Sequence, residues 1–591
     1  MQDQVNSPFT IDGPPLLTSL LKKFTGLQQL EDRYHTMKRG QTLFYQSVLD
    51  ELDIEFELSD EDRAKVPQDG PVMLLANHPF GAIDGLILAV LAKNLRPKSK
   101  ILANQLLGRL AESNEVLIYV DVFAQKNSKR NNVKGMRAAT DWLKEGNCLG
   151  VFPSGEVAAW APKKASVMES EWNPHFAKMA RRTGATVVPV YFAGRNSLAF
   201  QVASQIHPYL KLAMLPGEIL KKQHLKIQLR LGKPIEPAKF SRYPQDTDLI
   251  AYLRQRTLLL SQRNQAEDLV TKARQRVEMT PIVESLPCSL LQDEIDALAP
   301  DRLLLDAGDY HVYCAKSAEI PHCLREIGRL RELSFRAVGE GTGKSLDLDL
   351  YDEYYLHLFL WHKASQEIAG AYRIGKSDQI FQRYRKKGFY SQSLFKFKSD
   401  FFREIGPALE MGRSFVSPNY QKSFAPLSLL WKGIAAFISQ NPQYKTLFGP
   451  VSISKDFGAL SKEMMIGFLE AQSQGSDLAS LVKPRIPFKG KLVNRLGLNG
   501  EFAKMDLTQL NDAVEELEAG QRSVPILLKQ YLKLGAKVLA FNLDPGFNDC
   551  LDGLILVDLL KTDPKNLEKY LGKTEAVAFL AIHQTSVPLP K

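Results

Sequence analysis

Residues 75–85 of this chain read Leu75-Ala76-Asn77-His78-Pro79-Phe80-Gly81-Ala82-Ile83-Asp84-Gly85 and indicate the architecture of its first half. An apolar strand is predicted to end just before His78, and Asp84 follows on the same short turn. Imidazole has a pKa near neutrality, so it is suited to taking a proton from an alcohol. A nearby carboxylate holds one ring nitrogen protonated and leaves the other facing a substrate. The stretch therefore predicts a general base that serves acyl transfer to a hydroxyl group.

Without a serine or cysteine nucleophile, the acceptor hydroxyl must itself attack a thioester, and the base must remove its proton in the same step. The spacing alone leaves a second interpretation open. A His close to an Asp is also found as a structural pair or a helix cap, and such a pair has no catalytic role.

Three further motifs stand at the ends of predicted strands. Residues 151–156 read Val-Phe-Pro-Ser-Gly-Glu, residues 187–194 read Val-Val-Pro-Val-Tyr-Phe-Ala-Gly, and residues 232–235 read Gly-Lys-Pro-Ile. Together with the Asn-His pair, they resemble the glycerolipid (lysophospholipid) acyltransferase superfamily, whose members carry Asn-His, Phe-Pro-x-Gly and Val-Pro-Val motifs. The resemblance covers roughly residues 30–240 and implies an α/β domain, in agreement with the alternation of short apolar strands and helical stretches.

The resemblance also implies a role for each motif. His78 is the base, Asp84 is its orienting partner, and the 151–156 motif contacts the acceptor. The positions implied to bind substrate are Asn77, Gly81, Pro153, Ser154, Gly155, Glu156 and Arg195. Five residues separate His78 from Asp84, whereas four is the common family spacing, and the longer form is associated with a hemolysin-like branch.

A second departure from the family concerns the strand at residues 117–123. Glycerol-phosphate enzymes usually place a phosphate-binding arginine after this strand, but here the stretch carries Asp121. An aspartate repels a phosphate and attracts an amine or ammonium group. Asp121 is thus a further candidate for substrate binding, and it points away from phosphatidic acid and towards an amino lipid.

Length, charge and cysteine content limit the class of protein. At 591 residues the chain is too long for one hydrophobic core. The net charge of +10 favours an anionic partner, such as acidic lipid headgroups or an acidic carrier protein. No zinc-finger, RNP or helix-turn-helix pattern occurs, so nucleic acid is not a predicted partner. The 5 cysteines lack paired spacing, which predicts neither a disulfide framework nor a metal site.

The start of the chain lacks the basic and then apolar run of a signal peptide, and no segment reaches the roughly 18 apolar residues of a membrane span. We therefore expect a cytoplasmic enzyme that is peripheral on the inner face of the cell membrane. Residues 16–24 have apolar positions at helical spacing beside Lys22 and Lys23. They predict an amphipathic helix that lies either on the bilayer or on its own domain.

The second half of the chain shows a different order of elements. The sequence predicts strands at 355–360, 367–374 and 408–416, then a helix at 426–438 and a strand at 444–453. This order resembles the GNAT superfamily, and within it the branch that holds autoinducer synthases and ornithine N-acyltransferases. The resemblance covers roughly residues 300–565 and implies a second α/β domain.

The position of one motif indicates which molecule donates the acyl group. Residues 336–341 fit the Arg-x-x-Gly-x-Gly string that cradles the pyrophosphate of coenzyme A in GNAT enzymes. That string should lie between the strand at 408–416 and the helix from 426, but residues 417–425 contain no glycine. This favours acyl carrier protein as the donor, since its phosphopantetheine needs no pyrophosphate cradle. No bound cofactor is predicted.

The resemblance suggests site residues in the second half. Glu410 and Arg413 match a Glu-x-x-Arg strand, with Glu410 as the base that deprotonates an amine or, alternatively, as part of a structural ion pair. Asp352, Arg373 and Arg413 are the substrate-binding positions. The acidic run that includes Asp347, Asp349 and Asp352 would hold a cationic amino acid or else form a solvated loop.

Taken together, the two halves resemble the bifunctional ornithine-lipid synthases of bacteria. Residues 1–265 are the O-acyltransferase domain, residues 266–295 a helical linker, and residues 296–591 the N-acyltransferase domain. The second domain would join a 3-hydroxyacyl group from acyl carrier protein to ornithine, and the first would acylate the new hydroxyl. Alternatives are another head group (glycine, lysine or glutamine), a lysophospholipid acyltransferase whose second half is inactive, and a scaffold or hemolysin-like factor.

Overall fold

A computed structural model describes residues 25–36, 44–104, 115–120, 128–161, 166–206, 208–263, 279–473, 477–490 and 505–584, and these residues form two compact units. Described residues up to Arg263 belong to the first unit, and those from 279 onward belong to the second. The predicted substrate-binding residue Asp121, the predicted amphipathic stretch 16–24 and residues 266–278 of the predicted linker lie outside the described residues.

The first unit is built on a largely parallel sheet. Its strands are β1 (Glu55–Glu57), β2 (Val72–Ala76), β3 (Ser99–Asn104), β4 (Leu117–Val120), β5 (Cys148–Val151), β6 (Ala159–Ala161), β7 (Ser166–Met168), β8 (Thr186–Phe192) and β9 (Lys226–Leu231). The sheet order is β1-β9-β8-β2-β5-β3-β4, and all pairs are parallel except β8 with β9. Strands β6 and β7 pair only with each other. Because β2, β5 and β8 run the same way, the loops that follow them meet at one edge of the sheet.

The central strand β2 explains why this sheet has helices on both faces. Successive side chains of a strand point to opposite faces, and all five residues of β2 are fully buried. Val72, Leu74 and Ala76 belong to one core, whereas Met73 and Leu75 belong to the other. A strand that is apolar at every position can be buried only in a sheet that is covered on both faces.

The helices of the first unit supply these two covers. They are α1 (Leu27–Thr36), α2 (Phe44–Glu51), α3 (Asp60–Arg63), α4 (Ala82–Leu95), α5 (Ser128–Lys144), α6 (His175–Thr183), α7 (Leu198–Ile206), α8 (Pro208–Leu220) and α9 (Asp246–Leu259). Side chains of α2 and α4 enter one core, and those of α5, α6 and α9 enter the other. Helix α4 starts within residues 75–85, so its N-terminus lies at the sheet edge where the loops after β2, β5 and β8 meet.

The second unit contains a mainly antiparallel sheet. Its strands are β10 (Leu303–Ala307), β11 (Tyr310–Lys316), β12 (Leu356–His362), β13 (Glu367–Lys376), β14 (Phe395–Phe397), β15 (Ala408–Val416), β16 (Thr446–Ile453), β17 (Val482–Pro484), β18 (Lys537–Asp544) and β19 (Cys550–Asp558). The main sheet has the order β10-β11-β12-β13-β15-β16-β19-β18. Within it, only β15 and β16 pair in parallel.

The parallel pair β15 and β16 separates soon after it begins. Pairing is confined to residues 408–410 with 446–448, although both strands continue further. Gly449 follows directly, with a φ of 158°. A Cβ on Gly449 would lie 2.0 Å from the carbonyl oxygen of Met411, so a glycine is needed where the two strands still pass closely. Beyond this point the sheet divides, and polar side chains occupy the divided region.

The helices of the second unit are α10 (Cys288–Ala297), α11 (Pro321–Ala337), α12 (Ser377–Tyr384), α13 (Ser391–Leu394), α14 (Phe401–Ile405), α15 (Ala425–Gln440), α16 (Ala459–Gln472), α17 (Leu507–Leu517), α18 (Ile526–Lys533), α19 (Pro564–Leu571) and α20 (Lys573–Gln584). The strand predicted at 408–416 and the helix predicted at 426–438 are both observed. Strands β10 and β11 were not predicted. Of the described part of the predicted helical linker, residues 279–287 are irregular and residues 288–295 belong to helix α10.

Candidate functional site

The turn between β2 and α4 places the predicted base and its partner as the sequence indicates. His78 Nδ1 lies 2.9 Å from Asp84 Oδ2. Asp84 is fully buried, and the same oxygen accepts the backbone N–H groups of Phe80 at 2.8 Å and Gly81 at 3.0 Å. The carboxylate thus fixes both the ring of His78 and the backbone turn that carries it. With Nδ1 facing Asp84, the proton on the ring is expected at Nδ1 and the lone pair at Nε2.

The other ring nitrogen of His78 is available to a substrate. Within the described ranges, no protein group hydrogen-bonds to His78 Nε2, and the side chain is 17% exposed. Phe152 of the loop after β5 stacks on the imidazole, with 4.2 Å between ring centroids and 26° between planes. This stacking contact and the hydrogen bond to Asp84 together fix the orientation of the imidazole ring.

A residue that sequence reasoning missed also contacts this turn. Glu169 accepts hydrogen bonds from the backbone N–H of His78 and, at 2.8 Å, from Trp172 Nε1. Burial raises the pKa of the Glu169 carboxyl, and these hydrogen bonds oppose the shift. Because Glu169 lies 91 residues from His78 in sequence, no local pattern indicates the contact.

Several residues implied to bind substrate have internal partners instead. Both ends of the Asn77 amide bond to the backbone of Phe192, at 3.0 and 2.6 Å, so this side chain joins β2 to β8. Gly81 caps α4 with a φ of 100°, where a Cβ would lie 3.1 Å from Leu215. Their positions in the site follow from backbone geometry, and direct contact of either residue with substrate stays a prediction.

The loop after β5 lies beside the histidine. The carbonyl of Pro153 accepts the N–H of Asn173 at 3.0 Å, and Ser154 Oγ donates to the carbonyl of Glu156 at 2.9 Å. Gly155 has a φ of 65° in this turn. The Glu156 side chain is exposed, 3.6 Å from Lys211 Nζ. The loop is anchored to the protein and the Glu156 side chain is exposed, while its contact with an acceptor stays a prediction.

Arg195 after β8 lines a cavity of about 270 Å³ in the first unit. Its other lining residues are Trp160, Val167, Asn196, Ser197, Leu198, Gln201 and Lys222. The cavity thus joins two cationic side chains to apolar ones. Such a lining suits a ligand that has an anionic group next to a hydrocarbon chain.

The predicted site residues of the second unit form a buried charge network. Arg373 Nη1 lies 2.6 Å from Asp349 and 3.1 Å from Asp352, and Arg331 Nη1 lies 2.7 Å from the other oxygen of Asp352. Although burial opposes it, the two guanidinium groups hold the pKa of Asp352 below its usual range. The alternative of a solvated acidic loop is wrong for Asp347 and Asp352, since both are buried. Contact between Asp352 and a substrate stays a prediction, but arginines already pair with both of its oxygens.

Glu410 and Arg413 lie on β15 at the point where the sheet divides. Glu410 is almost fully buried and accepts hydrogen bonds from the Tyr355 hydroxyl and, at 2.6 Å, from the backbone N–H of Ser391. Burial raises the pKa of the Glu410 carboxyl. Arg413 adopts a φ of 48° and lies 3.5 Å from Asp347. Because each Glu410 oxygen already accepts a hydrogen bond, its predicted role as the base would require one of these bonds to break.

Residues 336–341 and residues 417–424, the two segments considered for binding the acyl donor, follow different kinds of element. Helix α11 ends at Ala337, so the string at 336–341 follows a helix C-terminus, where backbone carbonyls and not amides are free. The segment that leads from β15 into α15 is residues 417–424, and it contains no glycine. This arrangement agrees with the sequence argument against a pyrophosphate cradle at residues 336–341.

Comparisons with known proteins match both parts of the chain. A family model described as "Acyltransferase" matches residues 53–267, and one described as "Acetyltransferase (GNAT) domain" matches residues 330–432. The predicted fold class, an acyltransferase-like α/β domain followed by a GNAT-like α/β domain, is therefore confirmed.

Three similar proteins illustrate these matches. A glycine N(alpha)-acyltransferase of Phocaeicola vulgatus is 30% identical over 296 residues, which is 47% of this chain and 89% of that protein. A lyso-glycine lipid O-acyltransferase of the same organism is 27% identical over 199 residues, which is 32% of this chain and 68% of that protein. The crystal structure of the 1-acyl-sn-glycerophosphate acyltransferase PlsC from Thermotoga maritima is 17% identical and covers 46% of this chain and 95% of that chain, with a TM-score of 0.23.

Proposed function

We propose that this chain, an acyltransferase that belongs to the same family as the glycine N(alpha)-acyltransferase of Phocaeicola vulgatus, makes a doubly acylated amino lipid in two steps. The second unit would join a 3-hydroxyacyl group to the amino group of an amino acid. The first unit would then acylate the hydroxyl of that product. One observation carries the proposal: a single chain resembles both a protein named for an N-acyl transfer and one named for an O-acyl transfer to its lyso-lipid.

The geometry of the first unit supports the ester-forming step. His78 Nε2 takes the proton of the acceptor hydroxyl as its oxygen attacks the thioester carbonyl, and Asp84 stabilises the imidazolium that forms. The imidazolium then returns the proton to the departing thiolate. The buried Asp84, held by two backbone N–H groups, keeps the ring in one orientation throughout.

We propose that the amino-acid head group of the product is either ornithine or glycine. The resemblance in sequence points to ornithine, while the names of the curated relatives point to glycine. Either head group leaves an anionic carboxylate on the lipid. The cavity that contains Arg195 and Lys222 suits such a carboxylate next to an acyl chain.

Acyl carrier protein is the proposed donor. Exposed cations cluster at the end of α12 and just after it, at Arg383, Arg385 and Lys387. Carrier proteins are acidic, so such a cluster favours their approach. A triple substitution of these residues with Glu should raise the KM for the acyl carrier protein substrate and leave the KM for the amino acid unchanged.

We further propose that the first unit works on the inner face of the cell membrane. No described helix has the length and apolar character needed to cross a bilayer. Helix α7 exposes Leu198 (78%), Val202 (62%) and Ile206 (69%), which recur every four residues and so share one face. Trp160, which is exposed, accepts a hydrogen bond from Gln205 of this helix through its carbonyl. An apolar face that borders the cationic cavity suits a bilayer that contains anionic lipid.

Vesicle binding tests this surface. The double variant Leu198→Asp, Val202→Asp should lose cosedimentation with vesicles of phosphatidylglycerol and phosphatidylcholine. The control is Val133→Asp on α5, where the side chain is equally exposed at 68%. Equal binding by both variants would contradict the assignment of this face.

Lipid mass spectrometry tests the function as a whole. Expression of the chain in a bacterium without amino lipids should yield a new lipid, and its head-group fragment identifies glycine or ornithine. His78→Ala should accumulate the mono-acylated amide, whereas the control His175→Ala should not, because His175 is an exposed histidine of the same unit. Glu410→Gln should abolish both products. Absence of any amino lipid would favour a lysophospholipid acyltransferase with an inactive second unit.

A further inference from the structure

Among the described residues of the second unit, three carboxyl side chains interact with the single positive charge of Arg413. They are those of Asp552, Glu340 and Asp544. On the basis of the proposed function, we infer that these three carboxyl groups form the subsite that binds the ammonium group of the acceptor amino acid. The three carboxyl groups come from separate segments, and their spacing in the sequence does not indicate that they lie together.

The group lies where β15 and β16 have separated. Asp552 on β19 stands directly opposite Ser452 on β16, four residues beyond the last pair between β15 and β16. Ser452 Oγ donates to Glu340 Oε2 at 2.7 Å and so links the loop after α11 to this place. Asp544 comes from the end of the edge strand β18. Arg413, on the other side of the separation, extends from β15.

The main observation behind this inference is that one carboxylate oxygen of Asp552 has no hydrogen-bond donor among the described residues. The residue is only 5% exposed, and among the described residues none hydrogen-bonds to Oδ2. Its Oδ1 has only a weak contact, at 3.8 Å, with the thiol of Cys550. A buried carboxylate oxygen without a donor is costly in an isolated protein, and such exceptions call for a specific explanation. A ligand that donates hydrogen bonds to Oδ2 provides that explanation.

The guanidinium group of Arg413 also interacts with two other carboxylates. Arg413 lies 3.5 Å from Asp347 and 3.7 Å from Asp349, so its single positive charge is divided between these two carboxylates and the group at Asp552. Burial raises the pKa of Glu340 to about 7, and burial and neighbouring acids raise that of Asp552 well above its ordinary value. Both shifts have the direction that burial beside other carboxyl groups produces, although the positive charge of Arg413 opposes them.

An ammonium group would supply both a further positive charge and the hydrogen-bond donor that Asp552 Oδ2 lacks among the described residues. It brings one positive charge and three N–H donors, which the unpartnered oxygen of Asp552 and its neighbours can accept. Glu410 is a poorer candidate for the same contact, because Tyr355 and Ser391 already donate to its two oxygens. The ammonium has two sources of identical chemistry: the α-amino group of any amino acid or the side-chain amine of ornithine.

The test is Asp552→Asn in the full chain, which preserves size and removes the charge. Calorimetric titration with glycine and with ornithine should show affinity that falls about tenfold to a hundredfold, the usual effect of losing a hydrogen bond to a charged group. The control Asp558→Asn lies on the same strand, where the side chain is 27% exposed and pairs with Lys561. Because asparagine cannot ionise at this buried position, the melting temperature of Asp552→Asn without amino acid should equal or exceed that of the wild type.

The amino acid that binds identifies the source of the ammonium. Weaker binding of both glycine and ornithine to Asp552→Asn would assign the α-amino group, and an effect confined to ornithine would assign its side chain. Unchanged affinity in a variant that folds normally, or no binding of either amino acid to the wild type, would overturn the inference. The proposed function is judged separately by lipid mass spectrometry, so an amino lipid made with no effect at Asp552 would reject the subsite alone.

Discussion

Replacing Glu340 with Gln should stabilise the second unit, and the gain should depend on pH. Glu340 is 6% exposed, and its carboxylate accepts one hydrogen bond, from Ser452 at 2.7 Å. Burial raises its pKa from 4.5 to about 7. A carboxyl group with a raised pKa binds its proton more tightly in the folded state. Its contribution to stability is therefore fully present below about pH 4.5 and is lost as the pH rises through about 7.

The size of the effect follows from the two pKa values. A change from 4.5 to about 7 corresponds to about 3 kcal/mol in the free energy of unfolding. At about 2 °C per kcal/mol for a unit of this size, the midpoint shifts by about 6 °C. Glutamine cannot ionise, so Glu340→Gln should gain about 6 °C over the wild type between pH 4 and pH 8.

Scanning calorimetry of the full chain at pH 4, 6 and 8 measures this difference. The transition of the second unit should move in the variant, and the transition of the first unit should not. Glu353→Gln is the matched control, because Glu353 is an exposed glutamate of the same unit. A difference between variant and wild type that stays constant across the three pH values would refute the reasoning.

Three further predictions concern the first unit. Asp84→Asn should lower the rate of ester formation by about 10²- to 10⁴-fold, since the orientation of His78 is lost, and should leave amide formation unchanged in lipid assays. Glu169→Gln should destabilise the unit by about 1–3 kcal/mol, because an amide cannot accept from both of its present donors, and calorimetry measures the loss. Gly81→Ala should cost about 2 kcal/mol or more in thermal unfolding, since φ there is 100°; an unchanged midpoint would contradict this.

Much of the first site could be predicted from local sequence. His78 and Asp84 are six residues apart on one turn, so the chain itself brings the ring within 2.9 Å of the carboxylate. The motif loops after β5 and β8 could be placed near them because parallel strands end at the same edge of a sheet. Asn77 shows the limit of this reasoning, since its motif position did not indicate that its amide joins β2 to β8.

The second unit was predictable in its elements but not in its charges. Strand β15 has the predicted bounds because its pattern of apolar residues is local. Asp347 and Asp352, in contrast, lie in a run that is compatible with a solvated loop, and only the structure shows them buried beside Arg331, Arg373 and Arg413. Whether a charged residue is buried depends on partners that come from distant segments.

Local sequence was sufficient to predict the two α/β domains, their order and the histidine with its aspartate, because strand and helix periodicity and one-turn spacings are set by neighbouring residues. The folded structure was needed to show that Glu169 supports the His78 turn, that both Glu410 oxygens accept hydrogen bonds, and that Asp552 Oδ2 has no hydrogen-bond partner among the described residues. These three facts depend on contacts between residues far apart in the chain. Such contacts are fixed by how the helices and strands pack, and no spacing in the sequence reports them.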